Sequence, residues 1–138
     1  MPKEDFDALR AEYAAMSRGD WDAALRGAHP DFELKTPVES LDIGEIRGVE
    51  RARRVFQDFF APYQEVKIEP EAFFEGKGQI VVFFLQRARP LDSAAVVETR
   101  AAHVWTMRHG RAAKLEIFPK RAKALEAAGL TEQDRAEP

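Results

Sequence analysis

His103 is the one imidazole of this 138-residue chain that strand alternation places among apolar side chains. It stands in Ala101-Ala102-His103-Val104-Trp105-Thr106-Met107, ahead of Arg108-His109-Gly110 and Arg111-Ala112-Ala113-Lys114-Leu115-Glu116-Ile117-Phe118. Two alternating runs around a glycine-containing turn predict a β-hairpin. A three-residue loop with left-handed Gly110 would close Met107 against Arg111. Trp105 then falls opposite Ala113, His103 opposite Leu115 and Ala101 opposite Ile117. One face reads Ala101, His103, Trp105, Met107, Ala113, Leu115 and Ile117. The other carries Arg100, Ala102, Val104, Thr106, Lys114, Glu116 and Phe118. Such an imidazole is either a core histidine bonded to a Tyr, Thr or Gln, or a pocket residue able to give or take a proton.

Few other residues offer polar chemistry beside it. Gln86 shares the inward parity of Val82 and Phe84 and could orient a ligand carbonyl. Tyr13, on the first helix, could do the same or serve as core with its hydroxyl satisfied nearby. A pocket around His103 and Tyr13 would be lined by Leu34, Thr36, Phe56, Phe60, Val82, Phe84, Gln86, Trp105 and Ile117. Trp105 and the cluster Phe56, Phe59 and Phe60 would serve equally well as plain core. His29 and His109 are expected to be exposed and inert. The spacing of histidines and carboxylates matches no metal site, and Gly76-Lys77-Gly78 reads as a turn rather than a phosphate loop. With no cysteine there is no disulfide and no thiol nucleophile. Neither metal nor cofactor is expected.

The elements that must position these groups follow from periodicity. Phe6, Leu9, Tyr13 and Met16 recur at helical spacing, predicting a helix over about 4–18 that Gly19 stops. Asp20 caps a second helix over 20–28, with Trp21, Ala24 and Leu25 apolar. Phe32 to Thr36 alternates as a strand closed by Pro37, and 38–47 reads as an irregular loop. Gly48 precedes a third helix over 48–62 with a broad apolar stripe of Val49, Ala52, Val55, Phe56, Phe59 and Phe60. Val66, Ile68 and Ala72-Phe73-Phe74 are strand-like, and Ile80 to Leu85 is a strand buried on both faces. A last helix over 119–128 ends at Gly129-Leu130. Helices followed by four to six mainly antiparallel strands make an α+β domain, a curved sheet wrapped around the N-terminal helices.

Composition narrows the function classes. The chain is 45% hydrophobic and 33% charged, with a net charge of −3 and both signs interspersed. One domain over 1–130 is expected, with a polar, frayed tail over 131–138. No basic face is available for nucleic acid, and no apolar run is long enough to cross a bilayer. The N-terminal residues do not form a secretory signal, so a cytoplasmic protein is expected. Phe83, Leu85 and Val104 would leave an apolar sheet face away from the helices, which predicts a homodimer.

Several pieces of the chain resemble SnoaL-like proteins of the nuclear-transport-factor-2-like superfamily. They are Arg18-Gly19-Asp20-Trp21, His29-Pro30-Asp31-Phe32-Glu33-Leu34, Arg47-Gly48-Val49-Glu50, the stretch Ala102 to Arg111, and Ala124 to Leu130. The resemblance spans nearly the whole chain and implies a cone of curved sheet with a pocket at its open end, usually dimeric. The superfamily includes ketosteroid isomerases, limonene epoxide hydrolases and polyketide cyclases. The isomerases' catalytic aspartate falls on Thr36, their protonated aspartate on His103 and their tyrosine nearest Tyr13. The Arg-x-Asp pair of the epoxide hydrolases falls on Phe84 and Gln86. The cyclases' histidine falls on His103 and their aspartate on Ile117.

Each of these constellations has therefore lost its carboxylate here. Two functions remain open on this reading. One is a pocket that binds a small apolar molecule without reaction. The other is a cofactor-independent isomerase or cyclase with His103 as sole acid/base and Tyr13 or Gln86 polarising a carbonyl.

Overall fold

The helical stripe read from the first residues is one continuous buried face. In the computed structural model, which describes residues 2–36 and 45–137, α1 (Pro2–Ser17) buries Phe6, Leu9, Tyr13 and Met16. It ends at Gly19, whose φ of +72° suits a residue without Cβ, and the backbone N–H of Asp20 reaches back to Ala15. The Asp20 carboxylate accepts from the Ala23 N–H and starts α2 (Trp21–Leu25), a single short turn rather than a helix to residue 28. α3 (Val49–Phe60) buries Ala52 and Phe56 and stops with the last residue of its apolar stripe, two residues short of the expected 62.

Among the described residues the sheet has seven strands, more than the four to six expected. They are β1 (Glu33–Lys35), β2 (Glu45–Arg47), β3 (Tyr63–Gly76), β4 (Gln79–Pro90), β5 (Val97–Arg108), β6 (Arg111–Phe118) and β7 (Arg135–Ala136), in the order β2-β1-β6-β5-β4-β3-β7. Among these described strands only β1 and β6 run parallel. Two of the additions were unreadable locally. β2 lies in a segment read as irregular, whose residues 38–44 fall outside the described ones, and it exists because Leu34 and Ile46 pair across strands. β7 belongs to the polar tail read as frayed. There Thr131 caps a 3₁₀ turn over Glu132–Asp134, and Arg135 pairs with Phe74.

The β5–β6 hairpin differs from the expected register. Its loop is the two residues His109 and Gly110, both at positive φ (+54° and +77°), which closes Arg108 against Arg111. A bulge after Thr106 then inserts one more residue on β6, so that Trp105 meets Leu115 and His103 meets Ile117. The net slip is two residues. Because side chains alternate with period two, the even slip keeps the residues beyond the bulge on their expected faces, whereas on its loop side Met107 meets Ala112, which takes the inward place expected of Ala113.

α1, α2 and α3 cover the concave face and enclose the main core. α4 (Arg121–Ala128) covers part of the convex face, packing Ala124, Leu125 and Ala128 on Phe74, Val81, Ala102 and Val104. The Arg121 guanidinium binds Glu71 and donates to the carbonyls of Ala101 and Phe84, which holds α4 to the strands. Val104 is consequently buried and Phe83 half-buried, and Leu85 is buried as well. Part of the face on which a homodimer was expected is therefore occupied by the chain's own last helix.

Candidate functional site

Cross-strand pairing sorts the concave face into rows. The deepest holds Leu34, Leu115, Trp105 and Ile80; the next holds Ile117, His103, Val82 and Phe73. Phe84 and Ala101 form the third, and Ile68, Gln86 and Thr99 the outermost. α1 lies over the deep rows, where Tyr13 reaches both Trp105 and His103. Outside that helix the face is left open, and there the cavity forms.

The cavity measures about 190 Å³ and is strongly apolar. Sheet side chains form its floor: Leu34, Leu115, Ile117, His103, Ala101, Phe84, Ile68, and Gln86 with Thr99 at the outer end. Met16 of α1, Trp21 of α2 and Val55, Phe56, Phe59 and Phe60 of α3 supply the opposite wall, with Thr36 and Pro119 completing it. Trp21 stacks on Phe56 at 4.9 Å and on Phe60 at 5.3 Å, with the planes within 4° of parallel. This aromatic slab is fixed by the Asp20 cap on one side and the α3 stripe on the other. Phe59 is 40% exposed and, with the exposed Thr99, marks the mouth.

Eight of the eleven residues expected around a pocket are brought together at the cavity: Leu34, Thr36, Phe56, Phe60, Phe84, Gln86, His103 and Ile117. Tyr13, Val82 and Trp105 are not among its lining residues. Val82 and Trp105 share the right face of the sheet but are fully packed beneath α1, and Tyr13 is a buried residue of α1 itself; Tyr13 and Trp105 form the support beneath His103. Met16, Trp21, Val55, Ile68, Thr99, Ala101, Leu115 and Pro119 were not anticipated. Parity marks those on the sheet as inward-facing but says nothing of which lie beyond the helix. His29 is half-buried rather than exposed and accepts from the Asp31 N–H, while His109 is exposed in its turn.

His103 is held from one side. Its Nδ1 lies 2.7 Å from the Tyr13 hydroxyl, whose oxygen also accepts from the Trp105 indole N–H at 2.9 Å. The Phe84 ring stacks on the imidazole with centroids 4.2 Å apart. The other ring nitrogen, Nε2, has no partner among the described residues and is not fully occluded, as expected for an atom at the edge of the cavity. Burial lowers the imidazole pKa from 6.5 to about 3, so the ring is neutral at pH 7. Burial likewise raises the Tyr13 phenol well above its ordinary value. Thr36, 2% exposed, has a buried hydroxyl with no partner among the described residues. Among those residues no cluster of three His, Asp or Glu could hold a metal ion.

One buried acid escaped the sequence reading altogether. Glu12 lies within the buried arc of α1, one place before Tyr13, and burial raises its pKa from 4.5 to about 8. Its Oε2 is occluded without a partner among the described residues. It is not among the residues lining the cavity. The spacing Leu9, Glu12, Ala15, Met16 on one helical arc was the available signal.

Solved structures share this architecture. TerC, co-crystallised with polyporic acid, aligns at a TM-score of 0.73 with 24% identity, over 89% of this chain and 96% of that one. A nuclear-transport-factor-2-like protein of unknown function from Burkholderia pseudomallei aligns at 0.69 with 22% identity, covering 89% and 95%. A putative polyketide cyclase from Xanthomonas campestris pv. campestris aligns at 0.70 with 13% identity, covering 88% and 93%. These likenesses carry the fold alone. No protein of the curated set matches the chain. The SnoaL-like domain family model matches residues 9–115, from the second turn of α1 to the middle of β6. By that match and by its cone of sheet around a lined cavity, the chain belongs to the SnoaL-like domain family.

Proposed function

We propose that this protein binds a small, largely apolar molecule in the cavity between the sheet and the slab of Trp21, Phe56 and Phe60. The observation that carries the proposal is the cavity itself: an apolar chamber lined by His103 and Thr36, whose Nε2 and hydroxyl have no partner among the described residues. A fold neighbour crystallised with polyporic acid and another described as a putative polyketide cyclase support a small-molecule role for such a chamber. Its volume limits the guest. An apolar cavity of roughly 150 Å³ accommodates benzene, so about 190 Å³ suits one ring with short substituents.

An isomerase or cyclase with His103 as acid/base is the competing reading, and the electrostatics oppose it. A base with a pKa near 3 is a weak proton acceptor, and its conjugate acid is absent at neutral pH. A homodimer is likewise an expectation with less of its original support, since α4 covers part of the face on which it was argued. Sedimentation at micromolar concentration decides the assembly.

Binding is tested by thermal shift against a panel of one-ring ketones, phenols, terpenoids and hydrocarbons. A ligand bound only by the native state raises Tm in a saturable way. Ala101→Leu, which places three more carbons in the cavity, should abolish that rise while the fold persists. If no compound shifts Tm, or the shift survives the filling of the cavity, the proposal fails.

A further inference from the structure

The hydrogen bonds beneath His103 decide what its free edge can do. Tyr13 has one hydroxyl proton and an oxygen that can accept. The Trp105 indole N–H is a donor only and already points at that oxygen. Among the described residues the hydroxyl proton therefore has one acceptor in reach, the Nδ1 of His103 at 2.7 Å. If Nδ1 carried the ring proton instead, the buried oxygen would face two donors and its own hydrogen would have no acceptor, an arrangement that native interiors avoid. A neutral imidazole with an accepting Nδ1 carries its proton on Nε2.

From this we infer that Tyr13 and Trp105 lock His103 as the Nε2–H tautomer, so that the cavity presents a hydrogen-bond donor and takes a one-ring compound with a carbonyl oxygen at its buried end. The inference rests on the cavity being the binding site, as proposed above. His103 is then a binding residue that polarises an acceptor and exchanges no proton. Tyr13 and Trp105 are positioning residues that act through it. Thr36 gives a second, independent sign of a polar guest. Its hydroxyl is buried in the wall of the same cavity with no partner among the described residues. Continuing the β1–β6 pairing by one residue sets it beside Ile117, which pairs with His103. Two strand spacings, about 10 Å between backbones, thus separate Thr36 from His103. A ring carrying the carbonyl fits between the two side chains.

The test uses the full chain and two probes of equal shape, acetophenone and 2-phenylpropene, in which a methylene replaces the carbonyl oxygen. In the wild type, ring-nitrogen NMR should show His103 protonated at Nε2 and bare at Nδ1, and acetophenone should move the Nε2 signal while leaving Nδ1 in place. The affinity ratio of acetophenone to 2-phenylpropene should fall about tenfold in His103→Leu, the usual size of one neutral hydrogen bond. A proton found on Nδ1 overturns the inference, whether or not His103→Leu folds. An unchanged ratio in a folded His103→Leu overturns it too, while leaving the cavity as a binding site. If neither probe binds the wild type, the inference of a one-ring carbonyl guest falls, and the binding reading falls with it only when the whole thermal-shift panel is also silent.

Discussion

Tyr13 does more for the site than a residue outside the cavity would suggest. Its hydroxyl satisfies the Trp105 indole and engages one nitrogen of His103, so His103 is both a bonded core histidine and a cavity residue, one on each edge of its ring. The two readings that alternation left open are therefore compatible. Tyr13→Phe keeps the ring packing and removes only the oxygen, leaving the Trp105 N–H orphaned in a fully buried position. A stranded buried donor costs about 1–3 kcal/mol. Urea unfolding should show a loss of that size. A loss under 0.5 kcal/mol, as for roughly any neutral surface change, would show that the network contributes nothing to the core.

At the scale of elements, the last helix matters most for how the sheet is covered. α4 ends at Gly129, in the left-handed conformation at φ +70°, with the Gly129 and Leu130 N–H groups reaching back to Glu126 and Leu125. Leu130 packs in the same cluster as Leu125, so the cap seals the convex core as well as the helix. A Cβ at position 129 would strain the backbone and come within 2.9 Å of the Lys77 ammonium, which binds the Gly129 carbonyl. Gly129→Ala should destabilise the protein by about 1–2 kcal/mol. Amide exchange should accelerate first in α4, with affinity for any cavity ligand unchanged. Loss of ligand affinity without faster exchange in α4 would contradict this division between the two faces.

For the whole molecule, two buried groups on the helix side of the sheet set opposing pH responses. His103 titrates near 3 when folded and near 6.5 when unfolded, so the unfolded chain gains a proton first and stability falls as pH drops from 6.5 toward 3. Glu12 keeps its proton to about pH 8 when folded but releases it above about 4.5 when unfolded, so stability falls as pH rises from 4.5 to 8. Each slope is about 1.4 kcal/mol per pH unit, and between 4.5 and 6.5 the two cancel. The contribution of this pair is therefore flat over that interval and declines on both sides. Glu12→Gln removes the alkaline decline alone. Unfolding measured from pH 4 to 9 should show the variant gaining on the wild type between pH 4.5 and 8 and running parallel to it outside that range. Parallel curves throughout would mean that Glu12 is solvated in the native state.

Local periodicity by itself determined which side of each element faces inward. The stripe Phe6, Leu9, Tyr13 and Met16, the two-sided run from Ile80 to Leu85 and the face shared by His103 and Trp105 all rest on repeats of 3.6 or 2 residues, which neighbouring residues impose on one another. The hairpin shows how robust that information is, since a two-residue register slip left His103, Trp105, Leu115 and Ile117 on their expected face and only the bulge exchanged Ala113 for Ala112. The family pieces, from Arg18-Gly19-Asp20-Trp21 to Ala124–Leu130, likewise marked the cone of sheet. Only the tertiary structure decided depth. Val82 and Phe84 share a parity, yet α1 packs the first away while the second lines the cavity, because the height at which a helix crosses a sheet depends on contacts between distant segments. Whereas the burial of Glu12 was legible in its place on the arc of Leu9, Ala15 and Met16, the same holds for α4, whose choice of the convex face follows from its docking on β4 and β5. The proton position on His103 belongs to this class too. It depends on three side chains, at positions 13, 103 and 105, whose meeting is a property of the fold.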